Sequence, residues 1–159
     1  MADTFDIPQP RENHLLFGHE TVEAALHDAC KAGRLHHSLL FAGPRGIGKA
    51  TLAFRLARFL LKPEAEGFLG LDMPTPDGFD VSTDDPVFRQ VAAGGHPALC
   101  VVERARNPDT GKVARDITVG DIRGLSEFFR MTTVAGGWRV AIVDPAEAMN
   151  QNAANALLK

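Results

Sequence analysis

Gly43-Pro44-Arg45-Gly46-Ile47-Gly48-Lys49-Ala50 is a phosphate-binding loop with one part missing. The full pattern runs from a glycine across four residues to Gly-Lys-Ser/Thr. Gly43, Gly48 and Lys49 are in place, but Ala50 stands where the hydroxyl that ligates Mg²⁺ belongs. Glycines let the backbone curl so that successive N–H groups face an anion. A helix starting near Gly48 would add its N-terminal partial charge, and Lys49 would reach the β and γ phosphates. Ser38–Ala42, just before the loop, reads as a buried strand, and Ala50–Leu61, just after it, as a helix apolar on nearly all sides. Thr51 does not replace the missing hydroxyl, because one step along a helix turns a side chain by about 100°. The stretch Gly43–Thr51 is therefore expected to hold a phosphate and to be ill-equipped to cleave one.

A second half of such a site is expected at the end of another strand. Arg139–Val143 is an apolar run that ends in Asp144, an acid placed to hold the Mg²⁺ shell. In hydrolysing proteins a glutamate follows and polarises the attacking water. Here the next residue is Pro145, which has no side-chain base. Glu147 is the nearest substitute, but Asp144, Pro145 and Glu147 also read as N-cap, N1 and N3 of the last helix, the reading preferred here. Ala50 and Pro145 together remove a metal ligand and a catalytic base, so no catalytic residue is assigned.

The rest of the chain bounds the problem. Its 159 residues make one domain or most of one. Against 20 acidic residues stand 17 basic ones, for a net charge of −3, so no global basic footprint for nucleic acid exists. The densest positive patch is Arg104, Arg106, Lys112 and Arg115 in a polar, turn-rich stretch that reads as a hairpin or surface loop. Cys30 and Cys100 stand alone and are expected to be buried thiols in a reducing compartment. The acidic N-terminus lacks the apolar stretch of a secretion signal, and no apolar run reaches membrane-spanning length, so the expected location is the cytoplasm.

Residues 1–13 read as an arm. Val22, Ala25, Leu26, Ala29 and Cys30 keep helical spacing up to a stop at Gly33. His36 and His37 have no third metal ligand nearby and read as structural or surface residues. Residues 63–85 form a long loop rich in proline, glycine and aspartate, with Phe68, Leu69, Leu71 and Phe79 as anchors. Asp72, Asp77, Asp80, Asp84 and Asp85 lack the pattern of a calcium loop and read as turn residues. Asp85-Pro86 starts a short helix that Gly94-Gly95 ends. Leu99–Val102 is a second strand. Thr118 and Asp121 form a capping box for a helix that turns Ile122, Leu125, Phe128 and Phe129 inward.

The order of Leu16-Phe17-Gly18-His19, Gly33-Arg34-Leu35-His36-His37, the loop at Gly43–Lys49, Trp138–Asp144 and Asn155-Ala156-Leu157-Leu158-Lys159 resembles the clamp-loader branch of the AAA+ ATPases. The resemblance implies an α/β P-loop NTPase fold, a three-layer αβα arrangement around a parallel sheet, with residues 1–159 as its N-terminal nucleotide-binding-type domain. It also implies a ring of subunits that loads a sliding clamp onto primed DNA. Partners would be the gamma/tau and delta subunits, with the clamp and DNA contacted through the complex. The defects at Ala50 and Pro145 fit a subunit that does not itself hydrolyse ATP; the competing reading is an active motor or helicase-loader ATPase. A phosphotransferase reading is disfavoured, because Leu99–Val102 supplies no substrate-binding Arg or Asp. ATP would bind weakly or structurally, with little Mg²⁺ dependence, and zinc is not expected, since no cysteine lies between Cys30 and Cys100. The same likeness places Leu16–Gly18 near the adenine and assigns no arginine finger to this chain. It further implies that the chain stops before the sensor-1 strand, the lid and the collar. A fragment, or a gap filled by another chain segment, is then expected.

Overall fold

A computed structural model describes residues 7–62, 78–131 and 137–158. In chain order its elements are α1 (Glu20–Lys31), α2 (Lys49–Leu61), α3 (Pro86–Ala92), β1 (Leu99–Val102), α4 (Val119–Arg130), β2 (Val140–Val143), a single 3₁₀ turn (Ala146–Ala148) and α5 (Gln151–Leu157). They fall into two compact units, Met1–His96 and Pro97–Lys159.

In the first unit, α2 is the buried centre. Leu52, Phe54, Leu56, Ala57 and Leu61 are all buried, as the apolar run from Ala50 predicts. Leu52 and Leu56 pack with Phe79, and Leu16, Leu26, Cys30, Phe41 and Phe59 close around them. α1 has Glu20 and Glu23 in its first turn and Lys31 in its last, which suits the helix dipole. It ends as expected at Gly33, whose φ of 62° lies in the left-handed region. Asp85 caps α3: its Oδ1 accepts from the Val87 N–H at 2.8 Å, with Pro86 as the first helical residue. Of the expected anchors of the long loop, Phe79 is fully buried. Phe68, Leu69 and Leu71, together with Asp72 and Asp77, lie outside the described residues.

Ser38–Ala42 corrects the sequence reading. No strand forms there among the described residues, and Leu40 is 80% exposed, although Phe41 reaches the core. A strand is held by a neighbour that accepts and donates its ladder hydrogen bonds, and apolar composition cannot supply one.

In the second unit, β1 and β2 pair in parallel, with Leu99 opposite Val140 and Val102 opposite Val143. Val102, Ile117, Ile122, Leu125 and Ala153 form the core beside them. Both strands lie where the apolar runs place them. Cys30 in the first unit and Cys100 in the second are free and half-buried rather than buried, and partial desolvation raises both thiols. Residues 104–115 do turn back on themselves: Arg106 and Val113 form an antiparallel bridge, and the Asn107 Oδ1 accepts from the N–H groups of Asp109 and Thr110 at 2.9 Å.

α4 starts at Thr118, whose N–H and hydroxyl both donate to the Asp121 Oδ2 at 2.7 Å. These bonds, the backbone one first, hold the Asp121 carboxyl below its usual 3.8. A lowered folded value means that the contribution is present above the unfolded value and is lost as pH falls through the folded one. Thr118→Ala is expected to cost about 1 kcal/mol at neutral pH. The difference from wild type should shrink in strong acid; an unchanged urea midpoint at pH 7 would sink this expectation.

Two further readings are corrected here. Phe129 is 52% exposed rather than inward: it sits in the last turn of α4 and packs its ring edge on Phe128, at a centroid distance of 5.2 Å. The last helix does not begin at Pro145, whose ψ of 140° is extended. Ala146–Ala148 makes one 3₁₀ turn, and α5 begins after Asn150, whose Oδ1 accepts from the Ala153 N–H at 2.9 Å. Asn150 is therefore the cap that Asp144 was expected to be.

Candidate phosphate-binding site

The loop curls as its glycines require. Gly48, the residue before α2, has a φ of 97°, and a Cβ there would lie 2.6 Å from the Leu16 Cδ1. A Cβ on Gly43 would meet the Ile47 Cδ1 at 2.8 Å. Any larger residue at either position would have to push a neighbour aside and would also carry the strain of a positive φ, 154° at Gly43 and 97° at Gly48. No side chain caps α2, and its first turn contains no acid. The opening N–H groups of a helix are its natural anion donors.

Lys49 bends back over the loop. Its Nζ donates to the carbonyl oxygens of Gly43 at 2.9 Å and Pro44 at 2.7 Å, tying the start of the loop to its end. An ammonium has three protons, so one remains for an anionic oxygen. Pro44, Arg45, Gly46 and Ile47 form the exposed rim. Ala50 presents only a methyl group, and Thr51 is buried at 7% exposure among the packed residues of α2. The loop thus fits an anion, whereas position 50 offers a metal ion no oxygen.

The segment that leads from the arm into α1 supplies one wall. The His19 Nε2 lies 2.5 Å from the Ile47 carbonyl oxygen. A carbonyl only accepts, so Nε2 carries the hydrogen. Leu16 lies against Gly48, while Phe17 is 79% exposed. Sequence reading gave His19 no role at the loop, and it missed Arg55 and Arg58 of α2, which are buried at 8% and 1% exposure. The available signal was two charges, three residues apart, inside an otherwise apolar helix, since a buried charge needs partners. Burial first, and then the neighbouring Arg55, pushes the Arg58 guanidinium down to about 10, so it stays charged at neutral pH.

Gly43–Thr51 belong to the first unit and Asp144 to the second. Asp144 follows β2 directly, and its N–H donates to the Val102 carbonyl at 3.0 Å. Glu147 is exposed in the 3₁₀ turn, and His36 and His37 are exposed before the loop. No helix among the described residues is long and apolar enough to cross a membrane.

The chain is a mixed α/β protein with a small parallel sheet and a glycine–lysine loop at a helix start. It belongs to the DNA polymerase III delta subunit family, whose model matches residues 18–159. It is 38% identical to DNA polymerase III subunit delta' of Pseudomonas aeruginosa over 125 residues, which is 77% of this chain and 32% of that protein. It is 35% identical to DNA polymerase III subunit gamma/tau of Mycobacterium tuberculosis over 142 residues, 89% of this chain and 22% of that protein. With subunit delta' of Bacillus subtilis the identity is 28% over 134 residues, 84% of this chain and 35% of that protein. The chain therefore spans well under half the length of the curated relatives it matches.

Proposed function

We propose that this chain is the nucleotide-fold part of a non-hydrolysing subunit of the DNA polymerase III clamp loader, a cytoplasmic complex that places a sliding clamp on primed DNA. In this reading residues 1–159 belong to a three-layer P-loop architecture, and ATP, where bound, is held by Gly43–Thr51 as a structural element. Its triphosphate lies on the N–H groups that open α2, with the free proton of Lys49 on an outer phosphate oxygen. The observation that carries the proposal is the methyl group of Ala50, in a loop otherwise shaped for an anion. Pro145, where a base belongs, points the same way. The subunit then contributes shape and contacts to gamma/tau and delta neighbours rather than turnover. The likeness to gamma/tau favours the competing motor reading, and turnover decides between the two.

Two measurements on the full-length protein test this. Affinity for a fluorescent ATP analogue should change by less than about threefold when EDTA replaces Mg²⁺, since no position-50 oxygen couples the ion to the site. Tight, strictly Mg²⁺-dependent binding, or sustained hydrolysis abolished by Lys49→Ala, would convert the subunit into a motor. Co-purification with gamma/tau and delta should yield a stable complex, and failure to associate would remove the clamp-loader assignment.

A further inference from the structure

We propose that Arg58, assisted by Arg55, is a positioning residue for the phosphate loop: it grips the backbone of the arm and thereby fixes Leu16 and His19 against the loop's last residues. The inference rests on the nucleotide-holding reading of that loop. Arg58 is nine residues beyond Lys49, roughly 13 Å along the helix axis, and so is too far down α2 to serve a phosphate itself. It is nonetheless 1% exposed, and its partners explain why. Nη1 donates to the Arg11 carbonyl at 3.0 Å and Nη2 to the Asn13 carbonyl at 2.8 Å, while the guanidinium lies 4.5 Å from the centre of the Phe88 ring. Arg55 donates to the His14 carbonyl and, at 2.6 Å, to the Glu23 Oε1 of α1. The backbone at Arg11, Asn13 and His14 is thus held from the helix that the loop opens.

The acceptors at 11 and 13 alternate, so the planar fork of Arg58 reads the register of the arm as well as its presence. A slip of one residue would move the arm by about 3.3 Å. Leu16 would then leave Gly48, and His19 would leave the Ile47 carbonyl. Both contacts bear on the segment from which α2 and its anion-facing N–H groups begin. The grip therefore transmits arm register to loop geometry, over a distance that no direct contact spans.

The test uses the full-length protein, below the melting temperature of every variant. Arg58→Met should speed amide hydrogen exchange at Ile47–Lys49 with no ligand present, and weaken a fluorescent ATP analogue by about tenfold. Arg58→Lys should not restore either property, because a point charge cannot hold both carbonyls. Leu16→Ala should weaken binding comparably, and the double variant should show no further loss. If Arg58→Met does not fold, Arg55→Gln, which loosens the grip at His14, should show smaller changes of the same sign. Unaltered exchange at Ile47–Lys49, or additive losses in the double variant, would reduce Arg58 to a stabiliser of the arm and overturn the proposal. A wild-type protein that binds no nucleotide would instead remove the functional reading of the loop, and the ligand-free exchange result would still decide the role of Arg58.

Discussion

Replacing Lys49 with alanine is expected to weaken binding of an ATP analogue by on the order of a hundredfold, corresponding to about 2.7 kcal/mol. In the free protein two of the three ammonium protons are committed to the Gly43 and Pro44 carbonyls, at 2.9 and 2.7 Å. In the proposed reading the third is the donor for a phosphate oxygen, and a hydrogen bond between two charged groups is the strong kind. The substitution therefore removes one charge-assisted bond and also the tie that closes the loop. The folded chain should tolerate it, because these bonds are exposed and the carbonyls they release can turn to water. Titration of the analogue together with thermal unfolding separates the two effects. A loss below about threefold would mean that the anion is not held by Lys49.

The largest effect on stability is expected from Phe79→Ala, at about 3–5 kcal/mol. Phe79 is fully buried. Its ring lies 5.0 Å from that of Phe59 and, edge-on, 5.9 Å from that of His27, while Leu52 and Leu56 complete its surroundings. Alanine would remove the apolar area and leave a cavity that three different segments would have to collapse to fill. Edge-to-face ring pairs add about 0.5–1.5 kcal/mol beyond burial, which places the expected value toward the upper end of the range. For a chain of this size the melting temperature should fall on the order of 10 °C. A shift of a degree or two would show that Phe79 is not the anchor its burial suggests.

Much of the chain was legible because the signals involved act over a few residues. Asp85-Pro86 starts α3 through a bond from Asp85 to a residue two positions on. Thr118 and Asp121 are three apart, Gly33 ends α1, and Leu99–Val102 became β1 without adjustment. The misses share a different character. Ser38–Ala42 has the composition of a strand, but whether it becomes one depends on a neighbouring ladder. Phe129 has the right spacing, yet it lies in the last turn of its helix. Asn150 was overlooked because Asp144-Pro145 offered an equally good local start, and only the extended backbone at Pro145 chooses between them.

The site divides along the same line. That position 50 carries no hydroxyl and position 145 no carboxylate follows from covalent composition alone, and no fold can add an atom that the residues lack. The glycine spacing likewise specifies a loop that can curl, because the freedom comes from the absence of a Cβ at those residues. Folding alone brought Arg55 and Arg58 to carbonyls 41 to 47 positions away, and His19 to an oxygen 28 positions away. Such pairings depend on which distant segments the closing core brings together. Each is worth having only once the entropy of closing that loop has been overcome by everything else packed around it.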